Sequence, residues 1–142
     1  MKKVAIQGAL GSYHDIAAHQ YFQGEEVELI CCATFEEVFD QVLHDNKVIA
    51  LSAIENTIAG SLLHNYELLK QSGLQVVGEH KLRISHCFVC LPDDDWADLT
   101  EVNSHPIALM QCREFLNQHP TLKVVEAEDT ALSAELISKQ QL

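Results

Sequence analysis

Basic residues are scarce in this sequence. Only 9 Lys and Arg stand against 21 Asp and Glu in 142 residues, and the formal net charge is −12. A field of this sign repels nucleic acid and anionic membranes, so we expect neither as a partner. It does not forbid an anionic small molecule, but the site for such a ligand must be locally positive. Helix ends and very few cations have to supply that positive potential.

Long apolar runs are also missing. None reaches the roughly 18 residues that cross a bilayer. The first residues, Met-Lys-Lys-Val-Ala-Ile-Gln-Gly, enter a strand pattern and then a glycine turn, without the apolar core and cleavage site of a signal peptide. We therefore expect a cytoplasmic protein. Its apolar content of 47% suits one globular unit, or two small lobes that share a core.

The five cysteines are an odd number, which in a cytoplasmic chain argues against a disulfide framework. Cys87 and Cys90 form a C-x-x-C motif beside His86, which invites a zinc or redox interpretation. The pair lies in a strand-like segment, where residues three apart point to opposite faces, and no second ligand pair completes a site. The pattern predicts no metal and assigns these cysteines to the core.

Strand and helix patterns alternate along the first half of the chain. The predicted order is strand 3–7, helix 13–22, strand 27–32, a helix opened by the capping box Thr34-x-x-Glu37, strand 48–54 and helix 61–71 ended by Gly73. Such a run implies a parallel sheet with right-handed crossovers.

The second half begins with a strand-like stretch at 74–91, suited to carry the chain from one lobe to another. Strand 101–104, helix 106–118, strand 122–127 and a last helix, capped by Asp129 or Thr130 and running to the end, follow. A helix after a strand normally leads back to a further strand, so the ending looks abrupt. The alternative is a terminal helix docked on a finished sheet.

The segment from Ala53 to Ser61 stands between a predicted strand and a predicted helix. In open α/β sheets, ligands bind beyond the carboxyl ends of the strands. Gly60 lets the backbone approach a ligand, and the N-terminus of the next helix favours an anion. The segment therefore suggests a small-anion pocket, and the alternative is a helix start capped by Thr57 or Ser61.

Two further strand-to-helix junctions carry polar groups. Gly8-x-x-Gly11-Ser12 matches neither nucleotide-binding glycine motif, so a small carboxylate held by the N–H groups of Gly11 and Ser12 is the better prediction; a tight turn with a capping serine is the alternative. Ser104 can donate at the third junction, and Gln111 can do so only if its helix face lines the pocket. His86 and His105 are candidate proton carriers, but no nucleophilic triad can be assembled.

Taken together, the segments resemble the catalytic domain of the prephenate dehydratase family. The matching pieces stand in family order with family-like spacing: Gln7–Tyr13, Ile54–Gly60, Gly78–Cys87, Ser104–Pro106 with Gln111 and Cys112, and Ala127–Thr130. No single piece is decisive, but the ordered set is specific and covers nearly the whole chain.

The resemblance implies an α/β fold of two lobes like the type II periplasmic binding proteins, each lobe a mostly parallel sheet flanked by helices, with the site in the cleft. Residues 1–75 would form the first lobe, completed by residues absent from this sequence, and 76–142 the second. The reaction would convert prephenate to phenylpyruvate, water and carbon dioxide without a cofactor or metal, in a homo-oligomer, dimer or tetramer. The implied substrate-binding residues are Asn56, Ser104 and Gln111, with Glu55, Thr57, Gly60 and Thr130 as neighbours and Gly11 and Ser12 in the first loop.

Three departures from the family pattern stand out. Ala53 replaces the usual proline before Ile-Glu-Asn, and His14 replaces the usual Ser or Thr after the aromatic residue of the first loop. The Thr-Arg-Phe motif, whose threonine is the expected catalytic group, is absent, and we expect it beyond Leu142, which would make this a truncated dehydratase. Arogenate dehydratase and a non-catalytic module that binds small carboxylates remain as alternative functions.

Overall fold

A computed structural model describes residues 1–58 and 60–140. The chain forms two compact units, the first spanning Met1–Ile84 and the second beginning at Ser85. Each unit contains its own sheet and its own helices, and each is described by itself below.

The first unit is built on three parallel strands, β1 (Lys2–Gln7), β2 (Val27–Cys32) and β3 (Val48–Leu51). The strand order is β2-β1-β3, so β1 is central. Its residues Val4 to Ile6 are fully buried, as expected of a strand covered on both faces. The predicted parallel sheet is therefore confirmed for the first half of the chain.

Two helices cover this sheet, α1 (Tyr13–Tyr21) and α2 (Phe35–His44). Val4 and Ile6 belong to one core cluster with Ala18 of α1, whereas Ala5 belongs to another with Val38 of α2. Successive strand residues point to opposite faces, so the two helices lie on opposite sides of the sheet.

Local capping follows the sequence closely. The Thr34 hydroxyl accepts a hydrogen bond from the Glu37 N–H at 3.3 Å and caps α2. The Glu37 carboxylate accepts from the Ala33 N–H at 2.8 Å, one residue before the position that a standard capping box uses. The third helix, α3 (Leu63–Ser72), ends at Gly73, whose φ of 67° is the left-handed conformation expected there.

The predicted strand 48–54 is too long, and the helix predicted from 61 begins two residues later, at Leu63. A small antiparallel hairpin of β4 (Glu55–Asn56) and β5 (Gly60–Ser61) stands between them. Neither Thr57 nor Ser61 caps the helix, since its N-cap is Leu62 without a side-chain bond. The backbone of Ser61 instead pairs with Glu55 across the hairpin.

The strand-like stretch 74–91 was predicted wrongly, because it contains no helix or strand. Val76 and Val77 are 71% and 79% exposed, and no described strand pairs with the stretch. A β pattern becomes a strand only when a neighbour accepts its backbone hydrogen bonds. The prediction that Cys87 and Cys90 belong to the core is also wrong, because both are exposed.

The second unit contains a 3₁₀ turn at Trp96–Asp98, then the parallel strands β6 (Glu101–Ser104) and β7 (Lys123–Glu126). The helix predicted over 106–118 is divided at Cys112 into α4 (Pro106–Gln111) and α5 (Arg113–Asn117). The last helix, α6 (Thr130–Gln140), is capped by Asp129, whose Oδ1 accepts from the Leu132 N–H at 2.9 Å. Its predicted continuation to the chain end lies outside the described residues.

Among the described residues, no group of three or more His, Cys, Asp or Glu is arranged to hold a metal ion. The helices in this part of the chain are also too short or too polar for any of them to cross a bilayer.

Candidate functional site

The segment that was predicted to form an anion pocket at a helix N-terminus contains a hairpin instead. Glu55 pairs with Ser61, and Asn56 pairs with Gly60. The Asn56 Oδ1 accepts from the Ile58 N–H at 2.9 Å, which closes the turn on one side. Gly60 has a φ of 84°, a conformation that strains any other residue. The predicted residues Glu55, Asn56 and Gly60 thus share one small structure, with Thr57 in its turn.

The Glu55 carboxylate is the acceptor of this hairpin. Tyr66 donates its hydroxyl to Glu55 Oε1 at 2.6 Å, and the Ser61 hydroxyl lies 2.9 and 3.0 Å from the two carboxylate oxygens. The bonds from Tyr66 and then Ser61 hold the pKa of Glu55 below its ordinary value, because they stabilise the charged form. The same bond to Glu55 raises the pKa of Tyr66. Glu55 is therefore ionised at neutral pH and is poorly suited to donate a proton.

The helix α3 attaches to this hairpin through a buried amide. Asn65 is 1% exposed, and its Nδ2 donates to the Ala53 carbonyl at 2.7 Å. The Leu62 N–H donates to the Ile54 carbonyl at 2.9 Å in parallel with it. The sequence carries no clear signal for Asn65 and Tyr66, because polar residues in the first turn of a helix normally face solvent.

The loop after β1 uses its N–H groups internally. The Gly11 N–H donates to the Asp15 carboxylate at 2.7 Å, and the Ser12 N–H donates to the Ala9 carbonyl at 3.2 Å. The Ser12 hydroxyl accepts from the Asp15 N–H at 3.3 Å, so the alternative of a tight turn with a capping serine describes this loop. A carboxylate bound here by Gly11 and Ser12 has to displace these partners.

In the second unit, two predicted residues meet. The Ser104 hydroxyl, at the carboxyl end of β6, lies 3.1 Å from the hydroxyl of Thr130, which begins α6. Ser104 is only 9% exposed, and its carbonyl accepts from the Ala127 N–H at 2.8 Å. Because Ser104 and Thr130 are 26 positions apart, no local sequence pattern could have predicted this contact.

Gln111 has a different neighbour. It is the last residue of α4, and its Oε1 lies 2.5 Å from Nε2 of His86. An amide oxygen can only accept, so the imidazole nitrogen is the donor in this bond. His105, the other candidate proton carrier, accepts from the Ile107 N–H through Nδ1 at 3.2 Å and caps α4. Its bond is thus part of the helix start.

Short parallel sheets flanked by helices place this chain in the α/β class, in which ligands bind beyond the carboxyl ends of the strands. The model of the family described as prephenate dehydratase matches residues 4–142. This chain therefore belongs to the prephenate dehydratase family.

Two curated relatives illustrate the similarity. The bifunctional chorismate mutase/prephenate dehydratase of Escherichia coli (strain K12) is 34% identical over 139 residues, which are 96% of this chain and 36% of that protein. Arogenate dehydratase 2 of Petunia hybrida is 36% identical over 140 residues, 99% of this chain and 35% of the relative. This chain thus spans about a third of the length of both relatives.

Solved structures agree on the fold. A structure described as GqqA, a novel type of quorum quenching acylase, has a TM-score of 0.81 and 32% identity, over 98% of this chain and 50% of that one. The prephenate dehydratase of Staphylococcus aureus subsp. aureus Mu50 has a TM-score of 0.77 and 24% identity, over 89% and 48%. The expected α/β class, like type II periplasmic binding proteins, is confirmed.

Proposed function

We propose that this chain is part of an enzyme that dehydrates and decarboxylates prephenate to phenylpyruvate, in phenylalanine biosynthesis. The observation that carries the proposal is the family match over residues 4–142. The polar groups described above are of the kinds that the reaction uses. They include hydroxyl and amide donors.

The conversion of prephenate requires the protein mainly to bind the substrate and to polarise its leaving hydroxyl. The substrate already carries a leaving hydroxyl and a leaving carboxylate on a cyclohexadiene ring, and their loss makes the ring aromatic. The protein must hold a dianion in one orientation and assist hydroxide departure by a proton donor or a hydrogen bond. Neither a metal nor an organic cofactor is required for these tasks.

In the first unit, Asn56 is the proposed substrate contact. Its Oδ1 accepts from the Ile58 N–H, and its NH₂ group is the donating end of the side chain. Thr57 and Gly60 border it in the same hairpin. Glu55 is proposed to hold the hairpin rather than protonate the leaving hydroxyl, since its bonds with Tyr66 and Ser61 favour the ionised form. Gly11 and Ser12 would contribute only after Asp15 has released the Gly11 N–H.

In the second unit, the hydroxyls of Ser104 and Thr130 are proposed to act as one donor site. When one of them donates to the other, the second proton of the pair is left to point at a ligand. Gln111 is proposed to donate its NH₂ group to a substrate oxygen, with His86 holding its amide oxygen. The arrangement supplies hydrogen-bond donors, which an anionic substrate requires.

Location and assembly are part of the same proposal. A soluble enzyme of amino-acid biosynthesis is proposed to act in the cytoplasm, with a small-molecule substrate and as a homo-oligomer, dimer or tetramer. Light scattering after size exclusion measures the assembly directly, and a purely monomeric protein at micromolar concentration would contradict that part.

The deciding experiment measures phenylpyruvate formed from prephenate, on this chain and on the complete gene product at equal concentration. We expect turnover by the complete product and negligible turnover by these 142 residues, because they contain no Thr-Arg-Phe motif. Robust turnover by this chain would show that the catalytic group lies within it. Failure of the complete product on prephenate and arogenate alike would overturn the proposal.

Two relatives define the competing assays. Similarity to arogenate dehydratase favours arogenate as an alternative substrate, and its product, phenylalanine, is distinguishable from phenylpyruvate. Similarity to the acylase structure, and to a relative named bifunctional N-acyl-homoserine lactone acylase/prephenate dehydratase, makes release of homoserine lactone from an N-acyl precursor a third assay. Binding of prephenate without turnover of any substrate would support the non-catalytic binding module.

A further inference from the structure

Two buried polar atoms lack a hydrogen-bond partner among the described residues, Nε2 of His14 and the hydroxyl oxygen of Ser52. A buried group without a partner destabilises the folded state unless water or a ligand satisfies it. Neither atom belongs to the hairpin or to the groups proposed above for the second unit. Their position in the fold shows what they are suited to bind.

Both groups stand at the carboxyl edge of the first sheet. His14 lies in the first turn of α1 and hydrogen-bonds the backbone of Gln7, the last residue of β1. Ser52 directly follows Leu51, the last residue of β3, and Leu51 pairs with Ile6 of β1. The two unpartnered atoms thus belong to the ends of adjacent parallel strands, where α/β sheets bind ligands.

The protonation state of His14 follows from its surroundings. Because Nε2 lacks a partner, the bond to the Gln7 backbone comes from Nδ1, and a carbonyl partner makes Nδ1–H the donor. Burial lowers the pKa of His14, and the bond to Gln7 only partly opposes this. Phe35 packs against the ring at a centroid distance of 5.6 Å and 73°, which restricts its rotation. At neutral pH, Nε2 is therefore a fixed lone-pair acceptor.

An acceptor of this kind selects the chemistry of its ligand. A carboxylate oxygen would face it lone pair to lone pair, whereas a hydroxyl can donate to Nε2 and accept from Ser52 at the same time. We propose that His14 and Ser52 form a hydroxyl-binding pair at the carboxyl edge of the first sheet, and that this pair receives the ring hydroxyl of the substrate. The inference rests on the proposed function, since prephenate supplies that hydroxyl.

The test compares prephenate, which carries the ring hydroxyl and a ring carboxylate, with phenylpyruvate, which lacks both. Because an unprotonated Nε2 cannot donate to a carboxylate, a selective effect at His14 reports on the hydroxyl. Dissociation constants for both are measured by NMR titration of this chain, over the period in which the spectrum shows prephenate intact. We expect His14→Phe and Ser52→Ala to weaken prephenate binding about 5- to 10-fold, as loss of one hydrogen bond implies, and to leave phenylpyruvate binding unchanged. A purely structural role of either residue would weaken both ligands alike.

A second measurement uses the unmodified protein, so its result does not depend on whether a variant folds. The imidazole ¹⁵N shifts of unmodified His14 should report a protonated Nδ1, and Nε2 should shift on addition of prephenate but not of phenylpyruvate. His44→Phe, at an exposed histidine of the same unit, is the matched control and should change neither affinity.

Four outcomes would overturn the inference. If prephenate binds while His14 Nε2 and both variants show no selective effect, the pair holds an ordered water only, and the proposed function survives. If His14→Phe and Ser52→Ala reduce the affinity for both ligands equally, the residues are structural. If neither ligand binds this chain and the complete gene product also fails to convert prephenate, the proposed function and the inference fail together. If only the complete product binds prephenate, His14 and Ser52 do not form a hydroxyl-binding pair in this chain by itself.

Discussion

The hydroxyl of Tyr66 donates a 2.6 Å hydrogen bond to the carboxylate of Glu55. This bond links α3 to the hairpin that carries Asn56, across 11 residues of sequence. It joins two side chains on different elements, and it is the largest cause of the lowered pKa of Glu55, ahead of the bond from Ser61. Tyr66 thus both ties α3 to the hairpin and favours the ionised form of Glu55.

Replacing Tyr66 by Phe should raise the pKa of Glu55, since the largest cause of its lowering is the bond from Tyr66. A carboxyl whose pKa is depressed by folding stabilises the folded state above its unfolded pKa, and that contribution disappears as the pH falls through the folded pKa. Tyr66→Phe should therefore reduce the loss of stability on acidification. Titration of the side-chain carboxyl ¹³C signals measures the pKa.

Tyr21→Phe is the control for this prediction, because Tyr21 lies on α1 and is 40% exposed. It should leave the Glu55 titration where it is. An unchanged pKa in Tyr66→Phe would mean that Ser61 alone, or the backbone of the hairpin, sets the charge of Glu55.

Removal of the buried amide of Asn65 should destabilise the first unit. In Asn65→Leu the Ala53 carbonyl loses its 2.7 Å donor, and we expect about 1–3 kcal/mol less free energy of unfolding. Hydrogen exchange of the β1 amides reports on this unit separately from the other. Asn46→Ala, at an exposed position, should exchange like the unmodified chain; equal protection in Asn65→Leu would contradict the role of the amide.

Asn56→Asp in the complete gene product should lower kcat/KM about 100-fold or more, roughly 3 kcal/mol of transition-state stabilisation, because it sets a negative charge against a dianion. The aspartate keeps an oxygen that can accept from the Ile58 N–H, so the turn is preserved. Asn56→Ala should lose less activity, since it adds no repulsion. Near-normal kinetics in folded Asn56→Asp would remove Asn56 from the substrate site.

Four of the five cysteines should separate into a fast and a slow group. Cys31, Cys87 and Cys90 are exposed and should be modified quickly by an aromatic disulfide reagent. Cys32 is buried, and its pKa is raised by burial first and then by Glu37 and Cys31, so it should react slowly. Mass spectrometry of the modified chain at successive times identifies each site, and early modification of Cys32 would contradict its burial.

Zinc should be substoichiometric in the purified protein, and chelators should leave its stability unchanged. Cys87 and Cys90 are exposed, and no cluster of three potential ligands occurs in the described part of the chain. Elemental analysis measures the metal content. One zinc per chain, lost when Cys87→Ser and Cys90→Ser are combined, would show that the C-x-x-C motif is a site after all.

Much of the fold is local and was predictable. The bounds 27–32 and 101–104 match β2 and β6 residue for residue. The Thr34 cap and the left-handed Gly73 depend only on neighbouring residues. The ordered motifs also indicated the family, which the match over residues 4–142 establishes.

Only the tertiary structure decided the contacts of the candidate site. The bond of Glu55 with Tyr66, the meeting of Ser104 and Thr130 over 26 residues, and the unpartnered His14 Nε2 depend on packing between elements. The tertiary structure also contains no strand at 74–91, because a strand needs a partner strand and the stretch cannot supply one itself. Sequence determines which local structures are favoured; burial and hydrogen-bond partners from distant segments determine which of them form and what their side chains contact.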